Sequence, residues 1–195
     1  MQLLRNVLAV IGLLSLIIVA VLVVKLYNAM QLVDDFDPQA VDFYADTLQK
    51  VVDSRSGIEA LVKRIPVQPD IDVSQVDQSI HSIASELNIK NVGELPLSKE
   101  VESMSGSPFR YIKIYLLCNA MTAASLLNYN DAFSSYLPCR LTLLEDKSGK
   151  LWLYTMDMDL IIYGGRPLPP ALRAEAEKIR DTMQNIMVRA ARGDF

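Results

Sequence analysis

The sequence predicts an α+β fold, a mainly antiparallel sheet with helices on one face, preceded by one transmembrane helix and an amphipathic linker helix. Three observations predict it. Residues 6–24 hold no charged side chain and are fenced by Arg5 and Lys25. Further on, apolar residues recur at helical spacing in separate stretches, the pattern of helices with one buried stripe. Between these stretches, residues 109–118, 137–145 and 151–158 read as buried strands. The last two are joined by Asp146-Lys147-Ser148-Gly149, and strands joined by a tight turn run antiparallel.

At about 1.5 Å per helical residue, residues 6–24 reach about 28 Å, close to the roughly 30 Å of a bilayer's hydrocarbon core. A secretory signal has an apolar region of about 7 to 15 residues and a small-x-small cleavage site. Here the run is longer, and Leu26-Tyr27-Asn28-Ala29-Met30 makes a poor site. The segment 6–25 is therefore read as a retained anchor in the lipid bilayer. Arg5 and the amino terminus precede the span, Lys25 follows it, and Asp34, Asp35 and Asp37 come next. The positive-inside rule counts Lys and Arg and gives acids little weight. It places the amino terminus in the cytoplasm and the bulk of the chain outside, which describes a bacterial inner-membrane protein with a periplasmic carboxy-terminal domain.

The chain has 19 Lys plus Arg against 23 Asp plus Glu and a net charge of −4, and two of its cations flank the span. No nucleic-acid partner is expected, because tracking phosphates needs clustered cations and the only local pair is Lys63-Arg64. Two cysteines do not make a disulfide scaffold. The single histidine, His81, excludes His-rich metal and triad constellations and reads as a solvent-touching residue at the edge of a helix stripe.

Residues 26–56 form a juxtamembrane segment and an amphipathic helix. Asp37-Pro38 reads as an N-cap followed by proline at the first helical position, where its missing N–H costs nothing. Val41, Tyr44, Leu48, Val51 and Val52 form the stripe, and Gly57 ends it. The α+β domain, residues 57–195, opens with a strand over 58–67. Asp72 or Ser74 then caps a helix whose inner face is Val76, Ile80, Ile83, Ala84 and Leu87. Residues 88–104 contain Pro96 and a helical turn, and Ser105-Gly106-Ser107-Pro108 is a loop. The strand 109–118 leads into an alanine-rich helix over 120–127. Gly164-Gly165 and a run of prolines break the chain before a final helix from Pro170, with Leu172, Ala176, Ile179, Met183, Ile186 and Met187 as its stripe.

Tyr115-Leu116-Leu117-Cys118-Asn119-Ala120, a short helix, and then Tyr136-Leu137-Pro138-Cys139-Arg140-Leu141 form a pattern. It resembles the signature of the prokaryotic family catalogued as domain of unknown function 302. In that family a strand ends in Cys-Asn-Pro and the next strand opens with Leu-Pro-Cys. The resemblance covers about residues 57–189. It implies a fold like the TATA-binding-protein class, often paired into homodimers, and no settled activity. Ala120 stands where the family has proline, and the membrane helix and the Pro38 helix lie outside the common domain.

Cys118 and Cys139 sit at strand ends beside the same short helix. Three readings stand open for them: a disulfide, a soft two-thiolate site for copper or another thiophilic metal helped by Met121 or Met156, or buried apolar thiols. Asn119 and Arg140 flank them as candidate contacts to an anion. Asp157 and Asp159, two apart on a strand, read as a solvated face. Tyr163-Gly164-Gly165-Arg166 reads as a turn, and no nucleophile elbow, Walker sequence or zinc quartet is present.

With so sparse a catalytic inventory, no catalytic residue is named. The expected role is that of a non-catalytic accessory subunit touching other membrane protein subunits, in a larger membrane oxidoreductase assembly. A thiol-based carrier of sulfur or copper using Cys118 and Cys139 is the alternative, and a structural homo-oligomer the weaker one. The span has Gly12 but no Gly-x-x-x-Gly pair to drive helix association.

Overall fold

The computed structural model describes residues 2–195. Helix α1 (Gln2–Val33) is followed by α2 (Ala40–Ser54), the single turn α3 (Gly57–Ala60), β1 (Val62–Pro66), α4 (Val73–Glu86), β2 (Lys90–Leu95) and α5 (Leu97–Ser105). Then come β3 (Ile112–Cys118), α6 (Ala120–Tyr129), a 3-10 turn (Asp131–Ser135), β4 (Cys139–Glu145), β5 (Leu151–Met156), α7 (Asp159–Tyr163) and α8 (Pro170–Ala190). The five strands form one antiparallel sheet in the order β1-β5-β4-β3-β2.

Alternation along each strand sends successive side chains to opposite faces. The inner set is Tyr115 and Leu117 on β3, Leu141 and Leu143 on β4, and Leu153 on β5, all buried. Against it pack Val76, Ile80, Ile83 and Ala84 of α4 and Leu172, Ala176, Met183, Ile186 and Met187 of α8. One core results, between one sheet face and its helices. Asp72 caps α4, its carboxylate accepting from the Gln75 N–H at 2.9 Å while the Gln75 side chain accepts from the Asp72 N–H at 2.8 Å. This reciprocal pair satisfies two donors that the helix cannot.

Four local expectations are corrected. Residues 58–60 are helical, since Ser56 caps α3 through the Glu59 N–H, and the strand starts at Val62. Strand β2 was not expected at all: Lys-Asn-Val-Gly-Glu-Leu has little β propensity and is held by pairing to β3, with a bulge between Asn91 and Gly93. Asp157 and Asp159 do not share a strand face, because β5 ends at Met156 and Asp159 opens α7. Helix α2 begins at Ala40, two residues after Pro38, yet Asp37 does organise the turn before it, accepting from the Gln39 N–H at 2.9 Å.

The α1 segment Arg5–Ala29 is long and apolar enough to cross a membrane, with a mean hydropathy of 3.3 and 0% of its window buried. Between it and the domain sits a latch. The Asp37 side chain is 0% exposed and lies 2.5 Å from the Arg173 guanidinium of α8. The Asp37 N–H donates to the Gly165 carbonyl at 2.8 Å, and the Tyr44 hydroxyl donates to the Gly164 carbonyl at 2.5 Å. Gly164 is required there, since a Cβ would fall 2.3 Å from the Leu160 carbonyl oxygen.

Candidate functional site

Cys118 is the last residue of β3 and Cys139 the first of β4. Cys139 pairs with Leu117, so Cys118 lies one residue further along and its Cβ starts toward the other face of the sheet. Both cysteines are free thiols. Both line one small cavity of about 50 Å³ at the end of the sheet, closed by α6, the 3-10 turn and α8. Burial, then the neighbouring Cys118, pushes the Cys139 thiol up to about 11. That environment is the opposite of the electropositive one that makes a reactive thiolate.

The flanking candidates divide. The Asn119 side chain is committed to the N-cap of α6, accepting from the Thr122 N–H at 3.1 Å. Arg140 borders the same cavity and is otherwise exposed. Met156 lines the cavity, as does Met158, which sequence reasoning passed over. Met121 is 78% exposed and does not line it.

The polar clusters lie elsewhere. His81 Nε2 is 2.9 Å from Glu94, and Lys113 bridges Asp77 at 2.5 Å and Glu94 at 2.7 Å. The buried Tyr115 hydroxyl donates to Asp77. Burial alone would raise both carboxyls, but hydrogen bonds from Lys113 to each, and from Tyr115 to Asp77, bring Asp77 and Glu94 below their ordinary values. Burial, followed by Asp77, drives the Tyr115 hydroxyl far above the tyrosine range. A readable signal existed: Asp77 and His81 are one helical turn apart, and Lys113 is a charge at an inward position of an apolar strand.

A second cluster corrects the solvated-face reading. Asp157 is buried and pairs with Lys63 at 2.8 Å, while Asp159 pairs with Arg180 at 3.1 Å. Burial opposes the Lys63 charge, yet Asp157 and Asp159 raise its pKa on balance. Among the described residues every buried side-chain nitrogen and oxygen has a hydrogen-bond partner. Among the same residues no group of three or more His, Cys, Asp or Glu is placed to hold a metal ion. Both clusters therefore satisfy themselves, which is how structural ion networks behave.

What the chain leaves unsatisfied is apolar surface. On α2 four of the five expected stripe residues are exposed, Val41 57%, Tyr44 45%, Leu48 64% and Val52 62%, while Val51 is half-buried. The face turned toward the domain is the neighbouring one, led by Ala40, Phe43 and Thr47. The outer sheet face carries Ile112, Ile114, Leu116, Leu144, Trp152 and Tyr154, all half-buried. Lys50, Asp53 and Ser54 at the end of α2 share a groove with Val62, Arg64 and Tyr154, so the two apolar surfaces adjoin.

The fold and its surfaces define a class: a one-sheet α+β domain latched to a single membrane-length helix. The family model described as Domain of unknown function DUF302 matches residues 65–190, and the chain belongs to that family. A crystal structure of an uncharacterized conserved DUF302 protein from Bacillus stearothermophilus has the same fold, with a TM-score of 0.56 at 15% identity over 67% of this chain and 98% of that one. No curated protein matches the chain. Helices α1 and α2 lie outside the matched residues.

Proposed function

We propose that the protein is a single-pass, membrane-anchored, non-catalytic interaction subunit, an accessory component of a larger membrane oxidoreductase assembly, with its domain on the periplasmic side of a bacterial inner membrane. The observation that carries this reading is the adjoining pair of uncovered apolar surfaces, one of them on a helix added beside the anchor. Apolar surface of that extent on an otherwise self-satisfied domain marks a docking site. The occupant is protein and not lipid: Asp42, Asp46 and Asp53 lie on the same helix as the stripe, whereas helices that lie on a membrane surface carry Lys and Arg on the polar face.

The partner is also not a second copy stacked sheet against sheet. The outward strand positions include Arg64, Lys90 and Arg140 and no acid, so that arrangement would oppose like charges. Purification of the full chain from its native membrane in mild detergent tests the proposal. The wild type should migrate as a discrete assembly with membrane oxidoreductase subunits. Leu48→Glu and Val52→Glu should release it while leaving the melting temperature of the domain unchanged. Recovery of the wild type alone, or only with copies of itself, overturns the reading.

A further inference from the structure

The two adjoining surfaces carry opposite charge. On α2, Asp42, Asp46 and Asp53 are exposed and recur at i, i+4 and i+11, which places them on one row of the helix. On the outer sheet face Arg64, Lys90 and Arg140 are the exposed charges. The two signs meet in the groove of about 300 Å³ between α2 and the sheet, which Asp53, Glu59 and Arg64 all line. An occupant of one sign throughout would oppose one half of this area, so the surface calls for a partner that carries both.

The strand register spaces the three cations evenly. Arg64 pairs with Tyr154 and Tyr154 with Thr142, two residues before which on β4 lies Arg140. Arg140 pairs with Leu116, and two residues further along β3 Cys118 pairs with Lys90. Each step from one cation to the next crosses two strands and advances two residues in the same direction, so the three lie on one diagonal of the sheet. At about 4.8 Å between strands and about 3.4 Å per residue, neighbours on this diagonal are about 12 Å apart. Tyr154 and Met156 start outward between Arg64 and Arg140, and Leu116 between Arg140 and Lys90. Two turns of an α-helix advance about 11 Å, which matches the spacing.

We propose that the partner presents an amphipathic helix with carboxylates about two turns apart, laid along this diagonal with its apolar side on Tyr154 and Leu116. Its neighbouring basic residues face the Asp42, Asp46 and Asp53 row. This names the chemistry of the partner and rests on the docking reading above. A helix on the face is favoured over a strand added at an edge, because β1 carries Pro66, which has no N–H to donate, and β2 is bulged between Asn91 and Gly93. Helices already cover the inner face of the same sheet.

The test uses the assembly purified in mild detergent from the native membrane. Carbodiimide joins amines to carboxylates without a spacer. It should link Lys90, and the amines introduced by Arg64→Lys and Arg140→Lys, to Asp or Glu residues of one partner segment, about seven residues apart. Arg64→Glu combined with Arg140→Glu should lower the recovered partner at least tenfold, while Lys178→Glu, exposed on α8 at the helix side of the molecule, should leave it unchanged. Near-ultraviolet circular dichroism verifies that the variants fold. Full retention of the partner by the folded double variant, or no cross-link from any of the three positions, overturns this inference and leaves the docking reading standing. A wild type recovered without a partner overturns both. Trp152, the only tryptophan and an outer-face residue, tests anionic lipid as the occupant. Its emission in the isolated full chain should be the same in phosphatidylcholine and phosphatidylglycerol nanodiscs, and a blue shift in phosphatidylglycerol alone overturns the proposed helix.

Discussion

Replacing either partner of the Asp37–Arg173 pair should loosen the joint between anchor and domain, and the two replacements should differ. The Asp37 side chain is 0% exposed and Arg173 is 26% exposed. Arg173 also holds Glu177 at 2.9 Å, so it stays paired when Asp37 is changed. Arg173→Met instead strands a buried carboxylate with only the Gln39 N–H as donor. Breaking a buried pair costs about 3 to 5 kcal/mol, and the partial exposure of Arg173 sets the low end, about 3 kcal/mol. Asp37→Asn keeps an acceptor for Gln39 and loses one charge-assisted bond, about 1.5 kcal/mol.

At about 1.4 kcal/mol per decade, the amide hydrogens of Asp37 and Gln39 should exchange about 100-fold faster in Arg173→Met and about tenfold faster in Asp37→Asn. Native-state hydrogen exchange of the full chain in micelles measures both. The core amides of β3 and β4 should hardly change, because the latch lies outside the sheet. Equal effects of the two variants would refute the burial asymmetry, and no effect would refute the latch.

Leu143, fully buried between sheet and helices, should cost about 3 kcal/mol as Leu143→Ala, read as a shift in the urea midpoint of the domain. Asp72→Ala should cost about 1 kcal/mol by removing the capping box, measured by the same denaturation. Asp77 and Glu94 have folded values below their unfolded ones, so their contribution is full above about pH 4 and is lost as pH falls through the folded values. Lys113, Tyr115 and His81 face Asp77, and Lys113, His81 and Asn91 face Glu94. Lys113→Met should therefore flatten the acid limb of the stability curve below about pH 4, with His81 retained as a smaller contributor.

Much of the architecture was legible because it rests on local pattern. The spacing of Val76, Ile80, Ile83 and Ala84 requires a helix with one buried face, and the structure buries those four residues. The turn at Asp146 to Gly149 joins β4 to β5 as its residues indicate; the Asp146 carboxylate, accepting from Ser148, Lys150 and Trp152, is held well below the usual range. Strand β2 escaped notice because its stability comes from its partner and not from its own composition. The same holds for Lys113, whose inward position becomes acceptable only when α4 brings Asp77 and β2 brings Glu94 to it.

By itself the sequence determined the membrane-length helix, the order of the main helices and strands, and the proximity of Cys118 and Cys139 to one short helix. These follow from hydropathy, periodicity and turn chemistry, which act over a few residues. Tertiary structure alone decided that the α2 stripe faces outward, that Asp37 locks onto Arg173, and that both cysteines meet two methionines in one small cavity. Such facts depend on which face of each element is already occupied by another, and no local pattern records that.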